Sequence, residues 1–274
     1  MIDLHTHTTA SDGKCSPDEL VARAAAAGVT TLGLTDHDTV AGCAAAATAC
    51  AQIGLSFIHG IEITAVAEER DIHVLAYFFD MESASLQSFL AEQRVRRVER
   101  VREMFDRLAR RGLHLDADAI LGPGVADPTR AVGRPWIARA LVEAGYVANV
   151  GEAFDRWLSR GCPGFVPRVG ATPAAVFAHV HDAGGIASLA HPVLVRRDEW
   201  IPAFAAAGLD ALEAFHADHD AADTARYLAL AADCNLLVTG GSDYHADDEH
   251  GGGGPGSVVL PQAYFDRLVG AAHR

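Results

Sequence analysis

The sequence is almost without lysine: of its 22 basic residues, all but Lys14 are arginine. Basic charge as a whole is outnumbered, 22 against 36 acidic residues, for a formal net charge of -14. That balance excludes a general basic coat for nucleic acid, and no stable binding of duplex DNA is expected; a local basic groove stays open. Cysteine is scarce. The five (Cys15, Cys43, Cys50, Cys162, Cys234) are odd in number and form no Cys-x-x-Cys pair, which argues against a disulfide framework and for reduced thiols. No apolar run approaches the ~18 residues of a membrane span, and no charged segment followed by an apolar core opens the chain. A cytoplasmic protein without a membrane partner is expected. Repeats of the solenoid kind are also lacking.

What is present is ample apolar material. With 274 residues, half of them hydrophobic, the chain can bury one barrel-sized core, with or without an insertion. The first eighty residues alternate strand and helix. Ile2–His7, Thr31–Thr35, Ser56–Thr64 and Ile72–Tyr77 read as strands. Ser16-Pro17-Asp18-Glu19 opens a helix as N-cap, N1 proline and acidic first turn, and Gly28 suits its C-terminal stop. Val40–Ile53 reads as a second helix ending at Gly54. Such alternation implies parallel βα units.

The pattern changes after Asp80. Leu86–Gly112 reads as one long helix carrying eight arginines between Arg94 and Arg111, either a solvated face or the wall of a groove for a polyanion. Shorter helices follow at Arg134–Ala144 and Gly151–Leu158. Residues 81–165 are therefore expected to form an inserted, mostly helical lobe, and residues 1–80 with 166–274 the barrel. Strand signals return at Ile186–Ala190, Ala211–Phe215 and Leu236–Thr239, and Gly251–Gly254 reads as a loop.

The segment Asp3-Leu4-His5-Thr6-His7 carries the most chemistry. In an extended chain residues i and i+2 share a face, so His5 and His7 can converge on one metal ion. With 14 histidines, roughly 0.7 such pairs arise by chance. His179-Val180-His181 is an internal control, since it falls in the helical stretch Thr172–Ala183, where i and i+2 diverge. What separates the first pair is recurrence. Asp12 follows it, Asp36 and His37 end the second strand, Glu62 and His73 sit in the next two, His191 ends a later one, and Asp243 and His245 end the last. Parallel barrels gather their active sites at the C-terminal ends of strands. Asp36 or Asp38 could instead cap a helix, Asp12 could be a turn residue, and His73 a core histidine.

Asp3-Leu4-His5-Thr6-His7, Thr35-Asp36-His37-Asp38, Gly60-Ile61-Glu62-Ile63, Ala190-His191-Pro192 and Gly241-Ser242-Asp243-Tyr244-His245 resemble, in order, the motifs of the PHP (polymerase and histidinol phosphatase) phosphoesterases. Ser11-Asp12-Gly13, the helical insertion and Gly133-Arg134-Pro135 are similar to members acting as 3′,5′-nucleoside bisphosphate phosphatases and 5′-3′ exonucleases. The resemblance implies an α/β fold, a distorted TIM-like (β/α)7 barrel with an inserted small helical domain. It implies a trinuclear metal centre. His5, His7, Glu62 and Asp243 would hold one ion, Glu62 would bridge to a second completed by His73 and His191, and Asp12, His37 and His245 would hold a third. Asp12, His37, Glu62, His191 and His245 are then the candidate catalytic residues. Two or three divalent ions are expected, Mn²⁺ first and Fe or Zn as alternatives. Two positions depart from the resemblance, Trp136 where relatives carry histidine and Cys162 where they carry lysine; Arg160 could replace the missing charge.

The expected reaction is hydrolysis of a nucleotide phosphate monoester by a metal-activated hydroxide, with Arg134 and His219 as phosphate contacts. A bisphosphate such as 3′-phosphoadenosine 5′-phosphate is the first substrate, a short 5′-phosphorylated oligonucleotide the second, histidinol phosphate the third. An amidohydrolase-type hydrolase is the rival enzyme, disfavoured in its carboxylated-lysine form because Lys14 lies in a loop. A non-catalytic metal-binding module is the rival outside enzymes.

Overall fold

The computed structural model describes residues 1–247 and 253–273; Gly251 and Gly252 of the expected glycine loop lie outside them. Among the described residues seven strands form one sheet in sequential order: β1 (Ile2–Asp3), β2 (Thr31–Leu34), β3 (Ser56–Ala67), β4 (Arg70–Tyr77), β5 (Ile186–Leu189), β6 (Ala211–His216) and β7 (Leu237–Gly241). The sheet curls into a nearly closed barrel. Its first and last strands meet through the bonds Leu4 N–H to Gly240 O at 3.2 Å and Asp243 N–H to His5 O at 2.8 Å. A Cβ on Gly241 would collide with the backbone nitrogen of His5, so this approach requires glycine. Asp3, fully buried, clamps the same seam by accepting from Ser242 N–H at 2.9 Å, Ser242 Oγ at 2.7 Å and Gly256 N–H at 2.7 Å.

One strand overturns the all-parallel expectation. β4 runs antiparallel to both β3 and β5. Only Glu68 and Glu69 separate β3 from β4, both at positive φ (47° and 58°), the geometry of a two-residue hairpin turn. A link that short cannot make a parallel crossover. His73 therefore does not end a strand. It lies in the first half of a reversed one, paired with Thr64, and so reaches the same end of the barrel as the others. Glu62, Thr64, His73 and Asp71 share one face of the hairpin, because side chains on a strand alternate.

The helices are α1 (Pro17–Ala26), α2 (Cys43–Ile53), α3 (Ala84–Ala109), α4 (Ala117–Ala126), α5 (Arg134–Glu143), α6 (Val150–Ala153), α7 (Pro173–Asp182), α8 (Pro192–Val195), α9 (Ile201–Ala206), α10 (Ala221–Asp233) and α11 (Gln262–Ala272). The α1 cap forms as the sequence predicts. Ser16 Oγ accepts from Glu19 N–H at 3.3 Å and the Glu19 carboxylate accepts from Ser16 N–H at 2.8 Å, a reciprocal box whose serine contributes about 0.5–2 kcal/mol. Helix α2 starts later than predicted, at Cys43 with Gly42 as cap, so neither Asp36 nor Asp38 is a helix cap. The apolar interior has separate parts. One wraps the sheet and includes Leu86, Phe89 and Leu90 from the start of α3. Another is drawn from Val101 to Val166, so α3 ties the barrel to the helices that follow it.

Candidate active site

The described strand ends bring the predicted residues together. His5 Nε2 and His7 Nε2 lie 3.1 Å apart. Around them stand Glu62 Oε2, at 3.4 and 3.2 Å, and Asp243 Oδ1, at 3.1 and 3.2 Å. Four donors at the corners of a tetrahedron of ~2.0–2.2 Å metal bonds sit about 3.3–3.6 Å apart, so this spacing fits a cation. The other Glu62 oxygen, Oε1, faces His73 Nδ1 at 2.8 Å and His191 Nε2 at 3.0 Å. Asp12 faces His245 Nε2 at 3.3 Å, His37 Nε2 at 3.6 Å and His7 Nδ1 at 3.8 Å. His37 Nδ1 also lies 3.1 Å from Glu62 Oε2.

Apart from His73, whose side chain is 20% exposed, these groups are almost wholly buried; Glu62 is 1% exposed and Asp12 4%. Buried carboxylates packed this closely require compensating positive charge. Among the described residues His7 Nδ1, Asp12 Oδ1, His37 Nδ1, His73 Nδ1 and His191 Nδ1 have no hydrogen-bond partner. Buried polar atoms are rarely left so, and their concentration here is the mark of a divalent metal centre. The donor set, imidazoles with carboxylates, suits such ions.

Protonation follows the same charges. Burial opposes a proton on His7, but Asp243 and Glu62 outweigh it and push the ring up to about 10. His5 also rises well above its ordinary value against burial, through Asp243, Glu213 and Glu62. Burial holds His37 well below the usual histidine range and lowers His73. Burial would raise Asp12, yet His37 and His245 hold it well below the carboxylate range. A sign follows for the metal-free chain. Histidines raised on folding contribute stability below their unfolded value near 6.5, and lose it as the pH climbs through the folded one. The lowered histidines are neutral in both states above about pH 7.5 and do not oppose this. The urea midpoint of chelator-treated protein is therefore expected to fall between about pH 7.5 and 9, and added Mn²⁺ to remove most of the fall. A midpoint that stays flat without metal would contradict this charge arrangement.

The centre opens into a cavity of about 500 Å³ whose other wall carries Arg97, Arg134 and Arg168. Arg134 Nη2 lies 3.2 Å from Asp71 Oδ2, and Arg100 Nη1 lies 3.3 Å from the same oxygen; Arg168 Nε lies 3.5 Å from Asp71 Oδ1. Burial, with Arg97 nearby, pushes Arg168 down to about 9, which leaves it cationic at neutral pH. The sequence did not single out Arg97 or Arg168. Of the six arginines on α3 only Arg97 and Arg100 are buried, so the helix is mostly the solvated face and partly the wall.

His219 stands apart from the expectation. It is not among the side chains lining the cavity; its Nδ1 lies 3.0 Å from Ala214 O and its ring packs 4.8 Å from Tyr227. Arg160 pairs with Glu69 at 3.0 Å on the surface and is not among the side chains lining the cavity. Trp136 gives its indole N–H to Ser11 O at 3.1 Å beneath an Arg130 guanidinium, so it braces the Asp12 loop. Asp36 accepts from Thr8 N–H, Thr8 Oγ1 and Ser11 Oγ at 2.6–2.8 Å, which makes it a loop anchor. The control pair behaves as predicted: His179 stacks on Phe89 and His181 pairs with Asp210 at 2.7 Å. Lys14, with Glu19 and Arg23, lines a separate surface depression.

The PHP domain matches residues 3–115. A 5′-3′ exoribonuclease of Haemophilus influenzae is 36% identical over 248 residues, 89% of each chain. The chain belongs to the PHP family. It is a phosphoric ester hydrolase of metal-dependent type, with the TIM-like barrel of that family. A 3′,5′-nucleoside bisphosphate phosphatase of Chromobacterium violaceum is 33% identical to this PHP protein over 91% of this chain and 89% of its own. A crystal structure from Bifidobacterium adolescentis, described as a metal-dependent phosphoesterase, superposes with a TM-score of 0.88 at 34% identity, covering 97% of this chain and 94% of that one. No helix of the described residues is long and apolar enough to cross a membrane.

Proposed function

We propose that the chain hydrolyses a 3′,5′-nucleoside bisphosphate, such as 3′-phosphoadenosine 5′-phosphate, to the nucleoside 5′-monophosphate and phosphate. The observation that carries this is the shared cavity, with the carboxylate–imidazole centre on one wall and Arg97, Arg134 and Arg168 on another. A substrate with two phosphates meets both, and the relative from C. violaceum is named for such a substrate.

In this reading His5, His7, Glu62 and Asp243 hold one ion, Glu62 with His73 and His191 a second, and Asp12, His37 and His245 a third. Two or three ions are bound, Mn²⁺ first, with Fe or Zn as alternatives. When bound, such ions polarise phosphoryl oxygens and lower the pKa of water from ~15.7 towards ~7. Asp12, His37, Glu62, His191 and His245, which line the cavity together with His73 and Asp243, are the catalytic set of this reading. Arg134 and Arg168 bind the oxygens of the phosphate that does not react, since a guanidinium matches phosphate with paired donors. The lobe 81–165 supplies Arg97, Arg134 and Phe154 to the wall and keeps bulk water from the reacting group.

A second reading, a 5′-3′ exonuclease on short 5′-phosphorylated oligonucleotides, is favoured by the name of the H. influenzae relative. The test is phosphate release by the Mn²⁺-loaded protein from 3′-phosphoadenosine 5′-phosphate, beside a labelled 5′-phosphorylated RNA oligonucleotide. Turnover of the small bisphosphate with the oligonucleotide intact is expected. Arg168→Gln should raise KM for it by about 10–100-fold, on the scale of 1.5–3 kcal/mol for a hydrogen bond to a charged group. Stepwise shortening of the oligonucleotide with the bisphosphate untouched would replace the first reading by the second.

A further inference from the structure

Strand β6 gives no residue to the donor set above, yet it presses two polar side chains against it. Glu213 is 0% exposed and His216 3%. Residues three apart on a regular strand face opposite sides. The register of β6 against β7 shifts between Glu213 and Phe215, and the extra residue of this irregularity turns both Glu213 and His216 towards the centre.

Their bonds are specific. Glu213 Oε1 accepts from His5 Nδ1 at 3.0 Å and Oε2 accepts from the backbone N–H of His191 at 2.7 Å. His191 has the positive φ of 25°, a conformation unfavourable to any residue but glycine, and the carboxylate holds it there. His216 Nδ1 accepts from Asp218 N–H at 3.1 Å. Its proton therefore sits on Nε2, which donates to Asp243 Oδ2 at 3.3 Å. The result fixes two lone pairs. In the neutral form that a metal requires, His5 keeps its proton on Nδ1 and turns bare Nε2 towards His7. Asp243 spends Oδ2 on His216 and turns Oδ1 towards the same point.

His5 Nδ1 or Nε2, a Glu213 oxygen and a His216 nitrogen also lie within 4.8 Å of one another, as ligands of an ion of their own would. Hydrogen bonding decides between these. No atom of Glu213 or His216 is among the unpartnered buried polar atoms of the described residues, whereas His7, Asp12, His37, His73 and His191 each contribute one. We propose that Glu213 and His216 are positioning residues, which set the tautomer of His5, the backbone of His191 and the free oxygen of Asp243 for metal binding. This rests on the ligand assignment of the preceding section.

The test is calorimetric titration with Mn²⁺, with bound-metal analysis, on the unaltered chain, Glu213→Gln, His216→Phe and His216→Gln, beside melting of each chelator-treated protein. Glutamine at 213 has one acceptor oxygen and must turn its NH₂ towards either His5 Nδ1–H or His191 N–H. Affinity at the tightest site should fall about 10–100-fold, as for other groups that orient ligands, with the number of ions at saturation unchanged. His216→Phe should fall similarly, and His216→Gln should recover part of the loss, because its amide can again donate to Asp243. Unchanged affinity in both Glu213→Gln and His216→Phe would overturn the proposal. So would loss of one whole ion with the others unaffected in Glu213→Gln, which would make Glu213 a ligand. A fall in melting temperature with no recovery of affinity in His216→Gln would make the role structural and overturn it too. No binding by the unaltered chain would overturn the ligand assignment itself, and this proposal with it.

Discussion

Replacing Glu62 with glutamine is expected to abolish turnover by about 10³-fold or more, on the order of 4 kcal/mol of barrier, and to strip bound metal. The reason is geometric. Oε2 stands 3.4 and 3.2 Å from His5 and His7, and Oε1 stands 2.8 and 3.0 Å from His73 and His191. One carboxylate thus serves two donor groups at once, and an amide offers one oxygen and a pair of hydrogens. Metal analysis and phosphate release on the same preparation check this. Full metal content with full activity would remove Glu62 from the centre. The fold should survive the change, since the variant removes a buried negative charge from a site crowded with them.

The second large effect concerns stability. Arg97→Met is expected to cost about 3–5 kcal/mol, read from the urea midpoint. Arg97 Nε pairs with Asp38 Oδ2, its Nη2 donates to Thr64 Oγ1 at 2.8 Å, and Nη1 donates to Val132 O at 3.3 Å. Asp38 is fully buried and also accepts from Thr64 N–H at 3.0 Å. Without the guanidinium that carboxylate keeps the Thr64 N–H, and its nearest cation is Arg168 at 3.9 Å, too far for a hydrogen bond. The double variant Arg97→Met, Asp38→Asn should recover much of the loss, because asparagine removes the stranded charge, keeps an acceptor for Thr64 N–H and tolerates the positive φ of 50° at this position. Equal stability of Arg97→Met and the unaltered chain would show that the pair contributes nothing.

Much of this was legible in the chain itself, and the boundary is instructive. Histidines and carboxylates stand out because they recur at the ends of successive strands, so His5, His7, His37, Glu62, His191, Asp243 and His245 were singled out by spacing alone. His73 lies in its expected strand but reaches the other donors by a route the sequence did not show. Its strand is reversed, and the two-residue turn at Glu68 and Glu69 that reverses it carries no glycine or asparagine to announce the hairpin. Glu213 did leave a signal, one acidic residue inside Ala211-Leu212-Glu213-Ala214-Phe215. A single charge within an apolar strand is costly unless it is held. Its partner His216 was hidden by the register shift, which no alternation pattern reveals. Arg97 and Arg168 were illegible for a different reason. An arginine facing solvent and one facing a cavity have the same sequence context, and only the packing of α3 distinguishes Arg97 and Arg100 from the four other arginines of that helix.

The clamp between the first and last strands has a consequence for how the chain becomes a barrel. β3 and β4 can zip together locally, within a few residues of their turn, and hairpins of this kind form in about 1–10 μs. The seam joins Asp3 to Ser242 and His5 to Asp243, so it closes a loop of nearly the whole chain, and the entropy of that closure must be met before the contacts it allows are made. Residues on the two sides of the seam, His5 and His7 on one and Asp243 on the other, are proposed to grip the same ion. The ion would then act as a latch on a contact that spans nearly the whole sequence. Catalytic competence and the final act of topology would arrive together, and a chain caught with its ends apart would have a formed Glu62–His73 hairpin and no active site.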